Sequence, residues 1–518
     1  MKTRINKLIF KLPIVIFLLS LVSCGEDFLD LKNPNDITAE TFFQTPNDFQ
    51  MAANTLYPSA GAIRQYFLQN SRAGDSELTT GAFAEQVTYS NFLNGATSGH
   101  SDGLYEGLYY MVYRANNILE RIDDIDWADN EDKKVSISGE AYFFRGLAYF
   151  YLAHSFGLVP IVTNVAVSTE EFNPAKASTI GEVYDQAIAD LTQAKANLPE
   201  EQDDPGRVTK GAATGFLGKT YLFRASYLSE NSNYALAAAE FKEVIDMGLY
   251  GLVTDYEDNF TSKNETNEES LFELQYKYAP GLGVQEQSRQ FNSVPGIGYE
   301  IFLRPSAWFM GVMSQEKTNT DEYDPRYLQS VYFNDGLPLF GVPYNQLGDG
   351  LSVEGGGMVG GAPDGSSSTE GGWWRKYLNV NEPYEPAIGR GGDNNERILR
   401  YADILLMYAE AEVMAGGSLT DAAAAVQEVR DRANLPNKTY GNGNALMQEI
   451  IHQRIVEFSY ENMLYFDLIR WNLLEDYIQD HGTDAQKENY DPVRFKYFPI
   501  PYSEIINNTN VEQNDPWR

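Results

Sequence analysis

The chain has 518 residues, with 73 Asp and Glu against 39 Lys and Arg, for a formal charge of −34. A chain this acidic repels phosphate backbones and anionic headgroups, which argues against nucleic acid as a partner. Its single cysteine excludes an internal disulfide, and its length allows a large core or two or three domains.

The first 23 residues read as a targeting signal. Lys2, Arg4, Lys7 and Lys11 precede an apolar run from Leu12 to Val22, broken only by Pro13 and Ser20, and small Ser23 follows. Charge, apolar stretch and small residue come in the order of a secretory signal. The run is shorter than the roughly 20 apolar residues a membrane-spanning helix needs. The lone cysteine stands next, and Leu21-Val22-Ser23-Cys24 looks like a bacterial lipobox, whose thiol takes up acyl chains and becomes the new N-terminus. Cleavage before Cys24 removes four positive charges and takes the formal charge from −34 to −38.

Helices are expected next. In residues 103–123, Leu104, Leu108, Val112, Ala115, Leu119 and Ile122 recur every three or four positions. Further helical segments fall at 140–157, 179–199, 209–228 and 234–248, closed by Gly, Pro or a turn. Two of these pairs share a pattern. Leu147-Ala148-x-x-Tyr151 with Ala187, Leu191, Ala194 and Pro199 matches a tetratricopeptide pair, as does Leu217-Gly218-x-x-Tyr221 with Ala237 and Phe241. A small residue on one helix makes a notch that a large residue of the other fills.

From about 250 to 395 Gly, Pro, Asn and aromatics dominate. Residues 269–278 alternate as a strand does, and 354–377 form a long Gly/Ser-rich loop ending in Trp373-Trp374. Helix is expected again over 396–417, 418–436 and 445–474, before a Pro/Asn-rich tail. The chain therefore divides into a signal (1–23), an N-terminal helical region (24–249), a loop-rich region (250–395) and a C-terminal helical region (396–518).

Several catalytic patterns fail on context. Gly218-Lys219-Thr220 lacks the first glycine of a phosphate loop, since Ala213 stands there, and it lies inside a helix. Gly355-x-Gly357-x-x-Gly360 has no strand before it and no helix after it. The four histidines are scattered, so no metal site is expected, and the Asp123–Asp132 cluster lacks calcium-loop spacing. No spacing picks out a catalytic carboxylate pair, so neither an enzyme nor a cofactor is expected.

Longer stretches carry a family resemblance. RILRYADILLMYAEAE (397–412), AAVQEVRDRANLP (424–436), QRIVEFSYENMLYFDLIRW (453–471) and YFPIPYSEIINNTNVEQN (497–514) resemble the SusD/RagB family of Bacteroidota surface lipoproteins. So do YRANNIL (113–119), EAYFFRGLAYFYLAHSFGLVPIV (140–162) and GRVTKGAATGFLGKTYL (206–222), in the family's order. One departure is His452, where the family often has an acid. The resemblance implies a mainly α fold of four irregular tetratricopeptide-like pairs, with a loop-rich insertion carrying a few short strands. It also implies a lipid-anchored protein on the outer face of the outer membrane. Its partner would be a TonB-dependent barrel of the SusC type, and its ligand an oligosaccharide or, alternatively, a peptide.

Ligand contacts are expected from aromatics in loop context, because loops lie at the surface. Trp373 and Trp374 lead, followed by Trp308, Tyr299, Tyr66 and Phe67, with Arg72, Asp75 and Glu77 as polar partners. Trp471 and Trp517 sit in scaffold motifs and are expected in the core. The negative charge favours a neutral oligosaccharide, over which the approach from Gly355 to Gly372 would close. Replacing Cys24 by Ala is expected to move the protein from the membrane fraction to the soluble one. Fractionation followed by immunoblotting checks this, and a variant that stays with the membrane sinks the anchor.

Overall fold

The computed structural model describes residues 39–78, 82–168, 170–276, 303–338, 351–353, 357–359, 372–378 and 394–518; at 39–40, 65–68, 351–353 and 357–359 it describes the backbone alone. Cys24, Tyr299 and most of the Gly-rich stretch lie outside the described residues.

Helices follow one another as the periodicity predicts. α1 (Pro46–Asn54) opens on a capping box in which Thr45 and Asp48 each accept from the other's backbone N–H. Then come α2 (Gly99–Arg121), α3 (Glu131–Phe156), α4 (Ile180–Asn197), α5 (Lys210–Leu228) and α6 (Ser232–Met247), and from α2 onward each packs on the next. Thr179 and Thr209 cap α4 and α5 by accepting from backbone N–H groups. α3 is enclosed on all sides from Gly139 onward, which makes it the axis of the stack.

The notches explain the close pairing. A Cβ on Gly218 would stand 2.7 Å from a ring carbon of Phe241, so only glycine admits that ring. In the first pair the approach falls at Gly146, where a Cβ would stand 2.8 Å from Leu191, rather than at Ala148 as the motif spacing predicts. The missing side chain, not the motif position, decides where the large residue enters.

Four further helices complete the scaffold: α7 (Tyr401–Ala415), α8 (Leu419–Arg432), α9 (Gly443–Glu457) and α10 (Leu464–Arg470), and α11 (Leu474–His481) follows them. α6 packs on α7, so residues 248–400 leave and rejoin the stack between two helices in contact. The strands are short: β1 (Ser76–Leu78), β2 (Ser270–Leu274), β3 (Leu303–Pro305), β4 (Val331–Tyr332), β5 (Trp373–Trp374) and β6 (Glu396–Arg400). β1 pairs with β3, β2 with β6 and β4 with β5, all antiparallel, and the short segments Leu351–Val353 and Gly357–Val359 pair with each other, so a strand does precede Gly355, contrary to the sequence reading. The tail closes over the end of α3, where Phe498 N–H donates to Ser155 O at 2.6 Å and Asn514 Nδ2 to Phe156 O at 2.7 Å.

Two helix expectations are corrected. Residues 396–400, read as the start of a helix, form β6, because their backbone groups pair with β2 across the stem of the insertion. The single helix expected over 445–474 is broken after Glu457. Tyr460 and Asn462 adopt left-handed φ values of 63° and 68°, which a helix cannot contain. Contacts distant in sequence hold the break: Tyr460 N–H donates to Asp75 Oδ2 at 2.9 Å, and Asn70 and Asn462 exchange hydrogen bonds at 2.9 and 3.2 Å.

The insertion is locked to the helices by a buried cluster of charges centred on Glu457. Its carboxylate accepts from Arg326 Nη1 at 3.1 Å, from Arg400 Nη1 at 2.9 Å and from Arg432 Nη2 at 2.5 Å. Arg326 also pairs with Asp324, Arg400 with Glu269 and Glu461, and Lys376 with Glu461. The four cations and four anions balance, and each side chain is at most 5% exposed. A second buried chain runs from Lys219 through Asp403, Arg454, Asp467 and Arg470 to Glu410. Lys219 is thus a structural cation inside a helix, as its context implies.

Burial alone would raise the Glu457 carboxyl, but Arg432, Arg400 and Arg326 outweigh it and hold the group well below the usual carboxylate range. Its ordinary value is 4.5, so its contribution to stability is present above that pH and is lost as pH falls through the lower folded value. Glu457→Gln leaves three buried arginines short of their shared counter-ion and is expected to cost about 3–5 kcal/mol. Urea denaturation at pH 7 measures it, and a loss below about 1 kcal/mol would show the cluster to be dispensable.

Candidate functional site

The residues singled out from sequence fall largely in one place, where segment 72–78 meets 303–313, 372–378 and 460–481. β1 places Glu77 opposite Arg304 of β3, and β3 packs on β5. Ser306 then caps the short helix Ala307–Met313 by accepting from Phe309 N–H at 3.1 Å. That helix carries Trp308 and Phe309.

Three of the expected contact residues lie in the interior instead, which corrects their reading as ligand contacts. Trp374 is fully buried, stacked on Tyr460 at 4.6 Å and 15°, and its Nε1–H donates to Ser76 Oγ at 3.1 Å. Phe309 covers it at 5.2 Å. Arg72 is buried too: Nε and Nη2 donate to Tyr89 O at 2.9 and 2.7 Å, and its guanidinium lies 3.8 Å from the centre of the Tyr89 ring. Asp75 is buried where it receives the Tyr460 N–H. The ring stack and the hydrogen bonds offset part of the cost of burial, although Asp75 Oδ1 and Arg72 Nη1 keep no hydrogen-bond partner among the described residues.

Other residues line the outer side. Trp373 is half-buried and pairs through its backbone with Tyr332. Trp308 is half-buried, edge-on to Tyr477 at 4.6 Å and 5.2 Å from the His481 ring. Glu77 Oε1 accepts from Arg304 Nε at 2.6 Å, with the two side chains 39% and 36% exposed. Tyr66 and Phe67 belong to the 3₁₀ segment Ala60–Leu68, and their side chains lie outside the described residues, as does Tyr299 entirely. Arg304, Tyr477 and His481 were missed. The i, i+4 spacing of Tyr477 and His481 marks one helix face, whereas nothing in the sequence sets Arg304 opposite Glu77.

The junction therefore carries two half-buried indoles, Trp308 and Trp373, and an accessible ion pair, Glu77–Arg304, groups that can stack on flat apolar surfaces and bond to hydroxyl or amide groups. Among the described residues no group of three His, Cys, Asp or Glu is placed to hold a metal ion. Trp471 and Trp517 are partly buried on the scaffold, donating to Glu410 Oε1 at 2.9 Å and to Tyr497 O at 3.0 Å.

A sequence model of the SusD family matches residues 254–517, which is half of the chain. The chain belongs to the SusD family. A second model, described as starch-binding and associating with the outer membrane, matches residues 27–222. SusD-like protein P2 of Formosa agariphila is 26% identical, with 98% of this chain and 99% of the relative covered. The starch-binding protein SusD of Bacteroides thetaiotaomicron is 23% identical, with 82% and 79% covered. Among solved structures, a SusD superfamily protein from Bacteroides vulgatus superposes with a TM-score of 0.78 at 26% identity, over 92% of this chain and 100% of that one. The helical stack described above is thus the SusD fold.

Burial pushes the Asp75 carboxyl up to about 7, against the opposing pull of the Tyr460 N–H and of Lys376. Because the folded value lies above the unfolded 3.8, the folded state binds the proton more tightly, and stability falls as pH rises from about 4 to about 7. Asp75→Asn keeps an acceptor for the Tyr460 N–H but carries no charge. Relative to wild type it is expected to gain stability with pH, by at most about 1.4 kcal/mol per unit, up to neutrality. Denaturation of both proteins at pH 5 and pH 8 tests this, and an unchanged difference rules it out.

Proposed function

We propose that the chain is a lipoprotein of the outer membrane, facing the exterior, that binds a neutral nutrient oligosaccharide and delivers it to a SusC-like TonB-dependent barrel. Membership of the SusD family carries the reading, and the lipobox at Cys24 supports the anchor. The starch-binding description of the family model over 27–222 supports a glycan ligand, and so does the exposed junction face. There the sugar would stack on Trp373 or Trp308, with Glu77 and Arg304 bonding its hydroxyls. Two exposed charges of opposite sign give hydrogen bonds to hydroxyls without selecting an ion. The reading is one of binding without turnover, and release into the barrel replaces chemistry.

A glycan array on the purified protein, followed by affinity measurement, tests it. Trp373→Ala is expected to weaken the selected glycan by about tenfold, the worth of one aromatic stack, while leaving the melting temperature within a degree or two. Wild-type affinity in that variant would exclude Trp373. New reducing ends released from a polysaccharide, and lost on substitution of one carboxylate, would replace binding by hydrolysis. Native extraction is expected to bring down a large β-barrel, and its absence would sink the delivery step.

A further inference from the structure

Away from the junction the scaffold carries a cleft of about 380 Å³, and none of its lining residues belongs to the junction face. Three segments form it: the turn after α1, residues 204–207 ahead of α5, and the outgoing end of β2. The volume lies within the roughly 300–1,000 Å³ of small-ligand sites.

Its walls are fixed by a buried anchor. Arg207 Nη1 donates to both oxygens of Glu140, at 2.7 and 2.6 Å, and its Nη2 donates to Asn54 Oδ1. The Tyr57 hydroxyl donates to the same carboxylate at 2.8 Å and accepts from Val208 N–H at 3.1 Å. Glu140 is only 2% exposed, so it holds Arg207 and Tyr57 in place from behind. Across the cleft, the Arg64 guanidinium lies 5.2 Å from the centre of the Tyr276 ring. The Gln275 amide lies over the backbone of Gly206, where a Cβ would collide with it.

The chemistry selects a ligand class. Glu140 neutralises Arg207, and Glu396 lies 3.5 Å from Arg64, so among the described residues the cleft has fixed donors and acceptors with each cation matched by an acid. Asp204 and Gln275 are exposed at its rim and accept from hydroxyls. Tyr57 and Tyr276 are half-buried and supply ring surface for the C–H face of a pyranose. We propose that this cleft is a second binding site for a neutral oligosaccharide, independent of the junction face. The proposal rests on the glycan-binding reading above.

Isothermal titration of the detergent-solubilised full chain with maltohexaose, laminarihexaose and cellohexaose tests it. The hexasaccharide that binds is expected to saturate at two molecules per chain. Tyr276→Ala is expected to weaken one of the two by about tenfold and leave the other unchanged. Gln275→Ala, which removes an exposed side chain, weakens the same one. Trp373→Ala weakens the other. A single site, lost in Trp373→Ala and indifferent to both cleft variants, overturns the second site and leaves the proposed function standing. A single site that responds only to the cleft variants supports the cleft and removes the junction face. No binding by any of the three sugars overturns both.

Discussion

Glu457 is the point on which the arrangement depends. A carboxylate buried at the end of α9 is very costly to desolvate unless it is paired, and it is shared by arginines from three separate parts of the chain. Arg326 comes from the insertion, Arg400 from its returning strand and Arg432 from the end of α8. Without Glu457 the buried cluster would hold four cations against three anions, leaving one positive charge uncompensated. The insertion and the C-terminal helices therefore have one arrangement in which each of these charges meets an opposite one, and departures from it are heavily penalised.

The junction inherits that fixity. Lys376, three residues beyond Trp373, donates to Ser459 O at 2.8 Å and to Glu461 at 2.9 Å, so the strand bearing the tryptophans is tied to the same cluster. Trp374 then stacks on Tyr460, and Asp75 holds the Tyr460 backbone from the opposite side. Neighbouring residues thus divide the work. Trp374, Arg72 and Asp75 hold the frame, while Trp373, Glu77 and Arg304 reach the outer side of it.

Much of the helical scaffold could be read from the sequence because its determinants are local. The three- and four-residue spacing of Leu104, Leu108 and Val112 specifies a helix without reference to anything distant, and Gly218 with Phe241 gives a helix pair within one short stretch. The errors arise where a partner far along the chain decides. Glu396–Arg400 has helical composition but finds β2 opposite it. The run from Ala445 to Leu474 is broken by Asn70 and Asp75, nearly four hundred residues earlier. Trp373 and Trp374 look alike in a Gly-rich setting, and only pairing with Val331 and Tyr332 sends one ring inward and leaves the other half outside. Of the site, sequence indicated the segments that converge but not which side chains face out.

The insertion begins and ends on two helices that touch, and β2 with β6 closes its stem. Because the ends are fixed at neighbouring points, the entropy of closing the intervening chain grows only slowly with its length, by about 0.6 kcal/mol for each doubling. The stem therefore acts as a socket. Sequence between it can be lengthened, shortened or exchanged at small cost to the helical stack, provided that Arg326, Lys376 and Arg400 still reach their acids. Such a design lets what is plugged in change from one relative to the next while the helical stack that carries it stays as it was.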